Sequence, residues 1–472
     1  MPYQSTRGRA SPLKFDDVLL AGLAPDGGLY VPTLWPRIPD RELRAMVGLS
    51  YPEYATHVAR PFLEGTINDH DFAAMVRDSY KGFDTPEVAP VTPLGPNEYL
   101  LELFHGPTLS FKDYALQLVG RLLDYVLRKK GRRATIVVAT SGDTGSAAIE
   151  ACRGRSSLDI IVLHPNGRVS EVQRRQMTTV IAPNVHNIAV DGTFDDCQNL
   201  VKGLFADLSL RKEVGLAAMN SINWARIVAQ IPYYVRAAGQ VGSPGQKIET
   251  KGQVAFAVPT GNFGNVFSAY AAKKIGLPVS QLIIGSNAND ILTRFFETGE
   301  MKATTVVPTL SPSMDIQVSS NFERYLWDLV ENKPDVVNGI MEQFRSQHAF
   351  RVSSERMAKV RAAFDGHRLD DAGTLAMMKK IHADHGVLVD PHTAVGIAAA
   401  RAKRKDKTVP IVAVATAHPA KFPDAVEKAT GVRPALPAHL ADLMQRPEKC
   451  EEIRWNLDAL KDYIRSVAKV AV

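Results

Sequence analysis

Features of secreted, membrane-spanning and disulfide-linked proteins are largely missing from this sequence. Its 472 residues include only three cysteines, Cys152, Cys197 and Cys450, an odd number at irregular spacing. This pattern argues against a disulfide framework and favours a reducing cytoplasm as the location. No run of about 18 apolar residues occurs, so no membrane span is expected. The first residues also lack the basic-then-apolar pattern of a secretory signal.

The remaining composition is typical of an ordinary globular protein. Hydrophobic residues make up 45% of the chain and charged residues 22%, and the length allows two or three domains. The formal net charge of +6 suits a small anionic substrate. The basic runs at 128–133 and 401–407 lack interleaved aromatic residues, which indicates helix ends and solvated loops rather than a nucleic-acid surface. His382 and His385 have no further ligand at zinc spacing, so no metal site is predicted.

Hydrophobic periodicity separates the first part of the chain from the rest. Residues 1–94 predict a mainly helical N-terminal region, with helices near 40–47 and 69–80. From residue 134 strands and helices alternate, which predicts an α/β fold with doubly wound parallel sheets and right-handed crossovers. A Gly- and Ser-containing stretch at 239–252 predicts an exposed connection between lobes, and 334–385 is predicted to be helical. The predicted strands are 134–139, 158–163, 185–190, 254–258, 282–285 and 409–415.

One lysine, Lys112, occupies a position that is unfavourable for an ammonium group. Its apolar neighbours Leu109 and Phe111 indicate burial, and a long amphipathic helix is predicted to follow, which places Lys112 at the positive end of the helix dipole. Desolvation and the dipole both favour the neutral amine, which is the form that attacks a carbonyl compound to make a Schiff base. The alternative is that Lys112 extends to solvent and offsets the charge of Asp113.

Polar turns follow several of the predicted strands, where open α/β sheets bind their ligands. The turn at 261–265, GNFGN, offers backbone N–H groups at a helix start and suits a phosphate, although a plain strand-to-helix turn has the same pattern. The turn at 141–145, SGDTG, suits a carboxylate or phosphate, or serves as a helix cap. Thr416 closes a strand, where its hydroxyl either reaches a ring nitrogen or is structural. A buried lysine combined with a phosphate-binding turn describes a pyridoxal 5'-phosphate site.

The stretch LFHGPTLSFKD at 103–113 resembles the cofactor-lysine motif of the threonine synthase family, pyridoxal phosphate enzymes of fold type II. Further matching motifs follow in family order along most of the chain. They are DGGLYVP at 26–32, SGDTG at 141–145, GNFGN at 261–265, DPH at 390–392 and TAHPAKF at 416–422.

The resemblance implies conversion of O-phospho-L-homoserine and water to L-threonine and phosphate. Lys112 would hold the cofactor as a Schiff base and move protons during the reaction, and Thr416 would contact the pyridine nitrogen. The residues expected to bind the cofactor phosphate are Gly261, Asn262, Phe263, Gly264 and Asn265. The residues expected near the substrate are Ser141, Asp143 and Thr144, followed by the weaker candidates Asn289, Asp290, Ser313, Asp315 and Arg324.

The guanidinium of Arg324 suits a bidentate phosphate contact, but a surface ion pair with Glu323 or Asp328 explains it equally well. The resemblance also implies a division of the chain into an N-terminal domain and two lobes. These are an N-terminal domain at 1–94, a large cofactor lobe built from 95–125 and 250–472, and a small mobile substrate lobe at 126–249.

Other functions share parts of this pattern. A related fold type II dehydratase or phospholyase would release a 2-oxo acid instead of threonine, and its early steps would be the same. A non-catalytic binding protein on this scaffold would not need Lys112. A P-loop enzyme is disfavoured because no lysine follows the turn at 141–145. We expect a small-molecule substrate, no nucleic-acid or membrane partner, and a monomer or homodimer.

Overall fold

A computed structural model describes residues 1–241, 253–454 and 456–469 as an α/β protein. Most of the predicted connection at 239–252, including the predicted lobe boundary, lies outside the described residues. The strands are β1 (Tyr3–Ser5), β2 (Tyr30–Pro32), β3 (Val91–Gly95), β4 (Glu98–Glu102), β5 (Ala134–Ala139), β6 (Leu158–Pro165), β7 (Val185–Asp191), β8 (Leu216–Ala217), β9 (Val254–Pro259), β10 (Val279–Ser286), β11 (Glu300–Lys302), β12 (Ala349–Arg351), β13 (Phe364–Arg368), β14 (Ile411–Ala415) and β15 (Glu451–Arg454).

The helices account for most of the remaining described residues. They are α1 (Phe15–Ala21), α2 (Asp40–Ala45), α3 (Tyr51–Leu63), α4 (Asp69–Tyr80), α5 (Lys112–Lys129), α6 (Asp143–Cys152), α7 (Glu171–Thr178), α8 (Phe194–Ala206), α9 (Leu208–Glu213), α10 (Trp224–Gln240), α11 (Gly264–Lys274), α12 (Ile291–Thr298), α13 (Phe322–Leu329), α14 (Pro334–Gln347), α15 (Ser354–Ala363), α16 (Asp371–His385), α17 (Pro391–Lys403), α18 (Pro423–Thr430) and α19 (Leu457–Val467). None of these described helices is long and apolar enough to span a membrane.

The larger sheet has six strands in the order β13-β10-β9-β14-β4-β3. All neighbours are parallel except β3, which pairs antiparallel with β4 at the edge. Every residue of β9 and β14 is buried, as expected of central parallel strands covered by helices on both faces. Helix α17 packs on β9, β10 and β14. Helix α11 packs on β9 and β10, and α10 packs on α11. The predicted α/β fold with parallel sheets is therefore confirmed.

The smaller sheet has five parallel strands in the order β15-β7-β6-β5-β8. Its edge strand β15 comes from the C-terminal part of the chain, and α19 then packs on α8 within the same apolar cluster. The predicted division assigned all of 250–472 to the large lobe. Strand β15 and helix α19 instead belong to the smaller sheet and its apolar cluster. Strand β15 carries three charged residues and is mostly exposed, so its sequence gives little sign of a strand.

Two strands interrupt the stretch at 334–385 that was predicted to be helical. Strand β12 pairs with β11, and β13 extends the larger sheet beside β10. Strand β13 packs closely on α12, because a Cβ at Gly366 would lie 3.0 Å from the Cα of Thr293. The N-terminal region is mainly helical, as predicted, and also contains α1 and α3. Helix α3 packs on α10 and α4 on α5, so this region extends the apolar core that contains those two helices.

The predicted strands at 134–139, 158–163, 185–190 and 254–258 are confirmed to within two residues. In the larger sheet β4, β9 and β14 are parallel, so the turns that follow them lie at one edge. The turn that follows β5 lies at the corresponding edge of the smaller sheet, where its parallel strands end. These two edges meet at the start of α5, where the candidate site lies.

Candidate active site

Lys112 is the first residue of α5, and its side chain is buried, with 8% of the residue exposed. Its Nζ lies 3.1 Å from Oδ2 of Asp143. Burial lowers the pKa of Lys112, although the Asp143 carboxylate acts in the opposite direction. The alternative in which Lys112 extends to solvent and offsets Asp113 is therefore wrong: the lysine is enclosed, and its ionic partner is a residue 31 positions away.

Asp113 faces away from Lys112 and binds the loop that precedes the helix. Its carboxylate accepts hydrogen bonds from the backbone N–H and the hydroxyl of Thr108, both at 2.8 Å. Burial raises the pKa of Asp113 to about 7, despite these hydrogen bonds. The loop closes tightly here, because a Cβ at Gly106 would lie 2.5 Å from the Cβ of Asp113. Asp113 thus shapes the lysine loop without contacting the amine.

Asp143 collects three hydrogen-bond donors around its carboxylate. Besides Lys112, Oδ1 lies 2.9 Å from Nζ of Lys421 and accepts a 2.8 Å hydrogen bond from Nε2 of Gln173. Burial by itself raises the pKa of Asp143, but the two lysines outweigh it and hold the pKa well below its ordinary value. Lys421 is fully buried and also donates to the backbone oxygen of Thr108 at 2.7 Å. Asp143 is therefore an ionised partner of two lysines, which makes it unsuited to bind a substrate carboxylate or phosphate directly.

The turn at 261–265 joins β9 to α11 and presents hydrogen-bond donors to the site. Phe263 adopts a left-handed backbone conformation (φ 62°), and α11 begins at the next residue. A Cβ at Gly261 would lie 2.7 Å from the backbone oxygen of Ser313, so the close approach of these segments requires glycine. The turn and the start of the helix together form the kind of N-terminal cradle that binds phosphate.

The amide of Asn265 is oriented by two tyrosines. Its Oδ1 accepts hydrogen bonds from the hydroxyls of Tyr233 at 2.6 Å and Tyr234 at 2.7 Å. This fixes the opposite side of the amide, Nδ2, which is buried and has no hydrogen-bond partner among the described residues. A buried donor without an acceptor fits a site that is completed by an anionic ligand.

Thr416 follows β14 directly and anchors the lysine loop. Its backbone oxygen accepts a 2.9 Å hydrogen bond from the N–H of Phe111, and the adjacent Ser110 and Ala417 form an antiparallel bridge. The end of the central strand therefore fixes the residue that precedes Lys112. The Thr416 side chain lines the same cleft as the lysine.

These groups surround one cleft, whose space is about 720 Å³ when the open solvent at its mouth is included. The predicted residues that line it are Lys112, Asp143, Thr144, Gly261, Asn262, Phe263, Gly264, Asn265, Ser313 and Thr416. The cleft is also lined by side chains to which the sequence analysis gave no role, namely Ser221, Arg226, Gln230, Thr260 and His392.

His392 supports the loop that carries Ser313. Its Nε2 accepts a 3.2 Å hydrogen bond from the backbone N–H of Ser313, so Nδ1 carries the proton and donates to Asp390 at 2.6 Å. The DPH motif at 390–392 was recognised in the sequence, and this pairing gives it a structural meaning. For Arg226 a signal existed, because it is the one charged residue in the mostly apolar first half of α10.

Five predicted substrate residues, all in the described part of the chain, lie outside the lining of the cleft. Ser141 belongs to the turn before α6 but is not in the lining. Asp315 accepts hydrogen bonds from Asn287 at 2.8 Å and Asn289 at 3.0 Å, so its carboxylate and the Asn289 amide bind each other within a closed polar cluster. Asp290 immediately precedes α12 and pairs with Arg294 of that helix at 2.8 Å.

Arg324 is neither a ligand of the cleft nor a surface ion pair. It is buried, with 1% of the residue exposed, and burial lowers its pKa to about 9. Its guanidinium donates to the backbone oxygens of Tyr30 at 3.0 Å and Ile222 at 2.6 Å, and also to the side chain of Asn321. Arg324 therefore connects the N-terminal region to the larger lobe, and its donors are used by the protein itself.

Comparison with known families agrees with this site. Residues 89–351, more than half of the chain, match the family model described as pyridoxal-phosphate dependent enzyme. The parallel-sheet lobes, the buried lysine and the phosphate-type cradle define the chain as a pyridoxal-phosphate-dependent enzyme of fold type II. Residues 2–80 match the model for the threonine synthase N terminus, and residues 393–464 match the threonine synthase C-terminal model. The chain belongs to the threonine synthase family.

Individual relatives cover nearly the whole molecule. The chain is 53% identical over 465 residues to the threonine synthase of Pseudomonas aeruginosa, covering 98% of both chains. It is 40% identical to the threonine synthase of Schizosaccharomyces pombe, covering 98% of this chain and 97% of the relative. Among solved structures, the PLP-bound threonine synthase from Brucella melitensis superposes with a TM-score of 0.96 at 49% identity, covering 99% of this chain and 100% of that one.

Proposed function

We propose that this enzyme converts O-phospho-L-homoserine and water to L-threonine and phosphate, with pyridoxal 5'-phosphate bound in the cleft. The observation that carries the proposal is that one cleft is lined both by a buried lysine and by a turn at a helix N-terminus, where backbone N–H groups are free to bind a phosphate. The unpartnered Nδ2 of Asn265 and the close approach at Gly261 support a phosphate ligand at that turn. Membership of the threonine synthase family supports this reaction over other chemistries of the same fold.

Different residues of the protein are assigned to different groups of the cofactor. Lys112 is assigned to the aldehyde, because its buried amine has a lowered pKa and is nucleophilic when neutral. Residues 261–265 are assigned to the phosphate, and the Thr416 hydroxyl to the pyridine nitrogen. When bound, pyridoxal phosphate supplies the electron sink for carbanions formed next to the substrate's amino group. A neutral hydroxyl at Thr416 places no full negative charge beside the ring.

Proton transfer is assigned to Nζ of Lys112. The amine removes a proton in its neutral form, and the ammonium that results is stabilised by the Asp143 carboxylate 3.1 Å away. Asp143 itself remains ionised, since Lys421 and Gln173 donate to its other oxygen. The proton therefore stays on Lys112 and is available for return to the substrate. This arrangement makes Asp143 the counter-ion of the catalytic lysine.

Fewer residues remain assigned to the substrate, and these lie near the hydrogen-bond network of Asp143. Thr144 and Ser313 line the cleft and carry hydroxyl groups, so they remain candidates for the substrate, with Ser141 in the adjacent turn. We no longer assign Asp143, Asn289, Asp290, Asp315 or Arg324 to the substrate, because their polar groups are engaged within the protein.

Closure and location complete the proposal. The small lobe is proposed to close over the substrate, which would exclude water until the step that consumes it. The three cysteines are free, Cys152 and Cys197 being buried and Cys450 half-buried, and this supports a reducing, cytoplasmic location. The enzyme is proposed to act as a monomer or homodimer on a small molecule, without a nucleic-acid or membrane partner.

A product assay tests the reaction. Incubation of the holoenzyme with O-phospho-L-homoserine should release threonine and phosphate in a one-to-one ratio. L-homoserine is the matched control, because it lacks the phosphate leaving group and should give no product. Formation of 2-oxobutyrate, ammonia and phosphate instead of threonine would move the enzyme to the phospholyase reaction and overturn the proposal.

A further inference from the structure

The loop that leads to Lys112 contains a histidine held between two carboxylates. His105 has 17% of its side chain exposed and belongs to the described residues that lie outside the lining of the cleft. Its Nδ1 lies 2.6 Å from Oδ1 of Asp84, and its Nε2 lies 2.8 Å from Oε2 of Glu102. Both ring nitrogens therefore contact a carboxylate oxygen, and an ionised carboxylate accepts hydrogen bonds but donates none.

This arrangement requires the charged form of the ring. A neutral imidazole has one N–H, so one of the two contacts would place a ring lone pair against a carboxylate oxygen. Burial by itself lowers the pKa of His105, but the carboxylates of Glu102 and Asp84 outweigh it and raise the pKa above its ordinary value. Burial likewise raises the pKa of Glu102, but the hydrogen bonds with His105 and Thr92 bring it below its ordinary value.

Three further titratable groups face His105 from other parts of the chain. They are Glu87 from the segment before β3, Tyr114 from α5 and His418 from the turn after β14. Burial lowers the pKa of His418 to about 4 and raises that of Tyr114 well above its ordinary value, so both side chains are neutral. A hydrogen bond from Thr85 lowers the pKa of Glu87, which is therefore ionised. Near neutral pH, His105 is the member of this group that gains or loses a charge.

The imidazolium joins the lysine loop to two other segments of the protein. Asp84 lies in the N-terminal region, and its backbone N–H also donates to the oxygen of His105 at 3.0 Å. Glu102 is the last residue of β4, a strand of the larger sheet. Residues 106–111 then lead to Lys112, and the backbone oxygen of Thr416 holds their far end. The loop is therefore fixed at both ends, and at its first end the contact depends on a proton.

We propose that His105 is a positioning residue for Lys112, because its imidazolium joins Asp84 to Glu102 and thereby holds the lysine loop in its catalytic conformation. Loss of the proton would turn one of the two attractive contacts into a repulsive one, and the loop would shift. Displacement of a reacting group by about 1 Å can cost roughly 100-fold in rate. The inference rests on the proposed function only where turnover is measured, since cofactor binding by Lys112 needs no substrate.

Two variants and a matched control test this role. His105→Gln removes the charge, and its amide cannot donate to both carboxylates at once. Asp84→Asn is the rescue variant: its amide N–H can donate to Nδ1 of a neutral imidazole, whose Nε2–H still donates to Glu102. The bridge then no longer needs the extra proton. His70→Gln is the control, because His70 is exposed and its ring lies 3.5 Å from a single carboxylate, that of Asp71.

The first arm measures kcat of the holoenzyme against pH. Wild-type kcat should fall as the pH rises through the raised pKa of His105, above about pH 6.5. His105→Gln should lower kcat by roughly 10- to 100-fold at neutral pH and should lack this alkaline limb. Asp84→Asn should keep a kcat close to that of the wild type and also lack the limb. The KM for O-phospho-L-homoserine should stay constant, because His105 lies outside the lining of the cleft.

The second arm needs no substrate. Cofactor is removed from the full-length chain, and the rate at which added pyridoxal 5'-phosphate binds again is followed by absorbance at neutral pH. This step uses Lys112, so His105→Gln should slow it by a factor similar to that in kcat. Asp84→Asn and His70→Gln should match the wild type. A failure of the proposed reaction would appear as no threonine from the wild type and would leave this arm intact.

The two arms together separate positioning from a purely structural contact. The proposal is overturned if the wild type forms threonine without an alkaline limb, or if His105→Gln keeps both the limb and the rate of cofactor binding. It is equally overturned if Asp84→Asn loses as much kcat at neutral pH as His105→Gln does, because the contact would then matter without regard to its proton. An equal loss in His70→Gln would also contradict it.

Discussion

Replacement of Asp143 by asparagine tests how the cleft controls the proton on Lys112. The carboxylate oxygen lies 3.1 Å from Nζ of Lys112. At that separation and an effective dielectric constant of about 20, the attraction between the two charges is about 5 kcal/mol. An asparagine oxygen still accepts a hydrogen bond but carries no charge, so we expect the pKa of the freed Lys112 amine to fall further.

The assay is the pH dependence of kcat, which reports groups in the bound complex. Asp143→Asn removes the charge that favours the ammonium, so the acidic limb due to the Lys112 amine should move to lower pH. Asp113→Asn is the matched control: it changes the residue next to Lys112 in the sequence, but that carboxylate faces Thr108. The reasoning is refuted if Asp143→Asn leaves the limb in place, or if both variants move it equally.

Stability must be controlled in this experiment, because Asp143→Asn leaves the fully buried Lys421 without its anion. Breaking a buried ion pair in this way costs about 3–5 kcal/mol. The double variant Asp143→Asn/Lys421→Met removes both charges and should recover most of the lost stability. It should still show the displaced acidic limb, which separates the effect on Lys112 from partial unfolding.

Two further predictions concern residues outside the proton network. The pKa of Asp113 is about 7 in the folded protein and 3.8 ordinarily, so the folded state binds the extra proton between about pH 4 and 7. Its contribution to the free energy of unfolding should therefore fall by up to about 4 kcal/mol as the pH rises through that window. Asp113→Asn should remove this slope in denaturant titrations, and an unchanged slope would contradict the assignment. Arg324→Met should lower the free energy of unfolding by about 2–5 kcal/mol, because the carbonyls of Tyr30 and Ile222 lose their donors. The KM for substrate should stay constant, and a raised KM at unchanged stability would restore Arg324 to the substrate site.

Local signals made much of the fold predictable. The β-branched run at 134–139 forms a strand with those bounds, and the helix at 69–80 begins after Asn68, whose side chain caps it. Strands β12 and β15 were missed because both are short and are defined by their pairing with β11 and β7, and β15 is also mostly exposed. Pairing between distant segments leaves little trace in a short stretch of sequence.

The site also contains residues that local sequence predicts and residues that only the fold reveals. Lys112 and the turn at 261–265 were found because the chemistry of each is contained in a few consecutive residues. The partnership of Asp143 with Lys421 joins residues 278 positions apart, and no local pattern encodes it. Arg324 had the residue type of a phosphate ligand, but only the fold shows that backbone carbonyls already use its donors. Nε and Nη1 of Arg226 have no hydrogen-bond partner among the described residues, and this too is visible only in the packed structure.

The most direct test of the central claim is to identify the lysine that carries the cofactor. Borohydride reduction of the holoenzyme, followed by peptide mass spectrometry, should locate the phosphopyridoxyl group on Lys112. Lys112→Ala should remain folded, carry no label at that peptide and form no threonine. Label on Lys421, the other lysine that contacts Asp143, or threonine formation by Lys112→Ala would contradict the account.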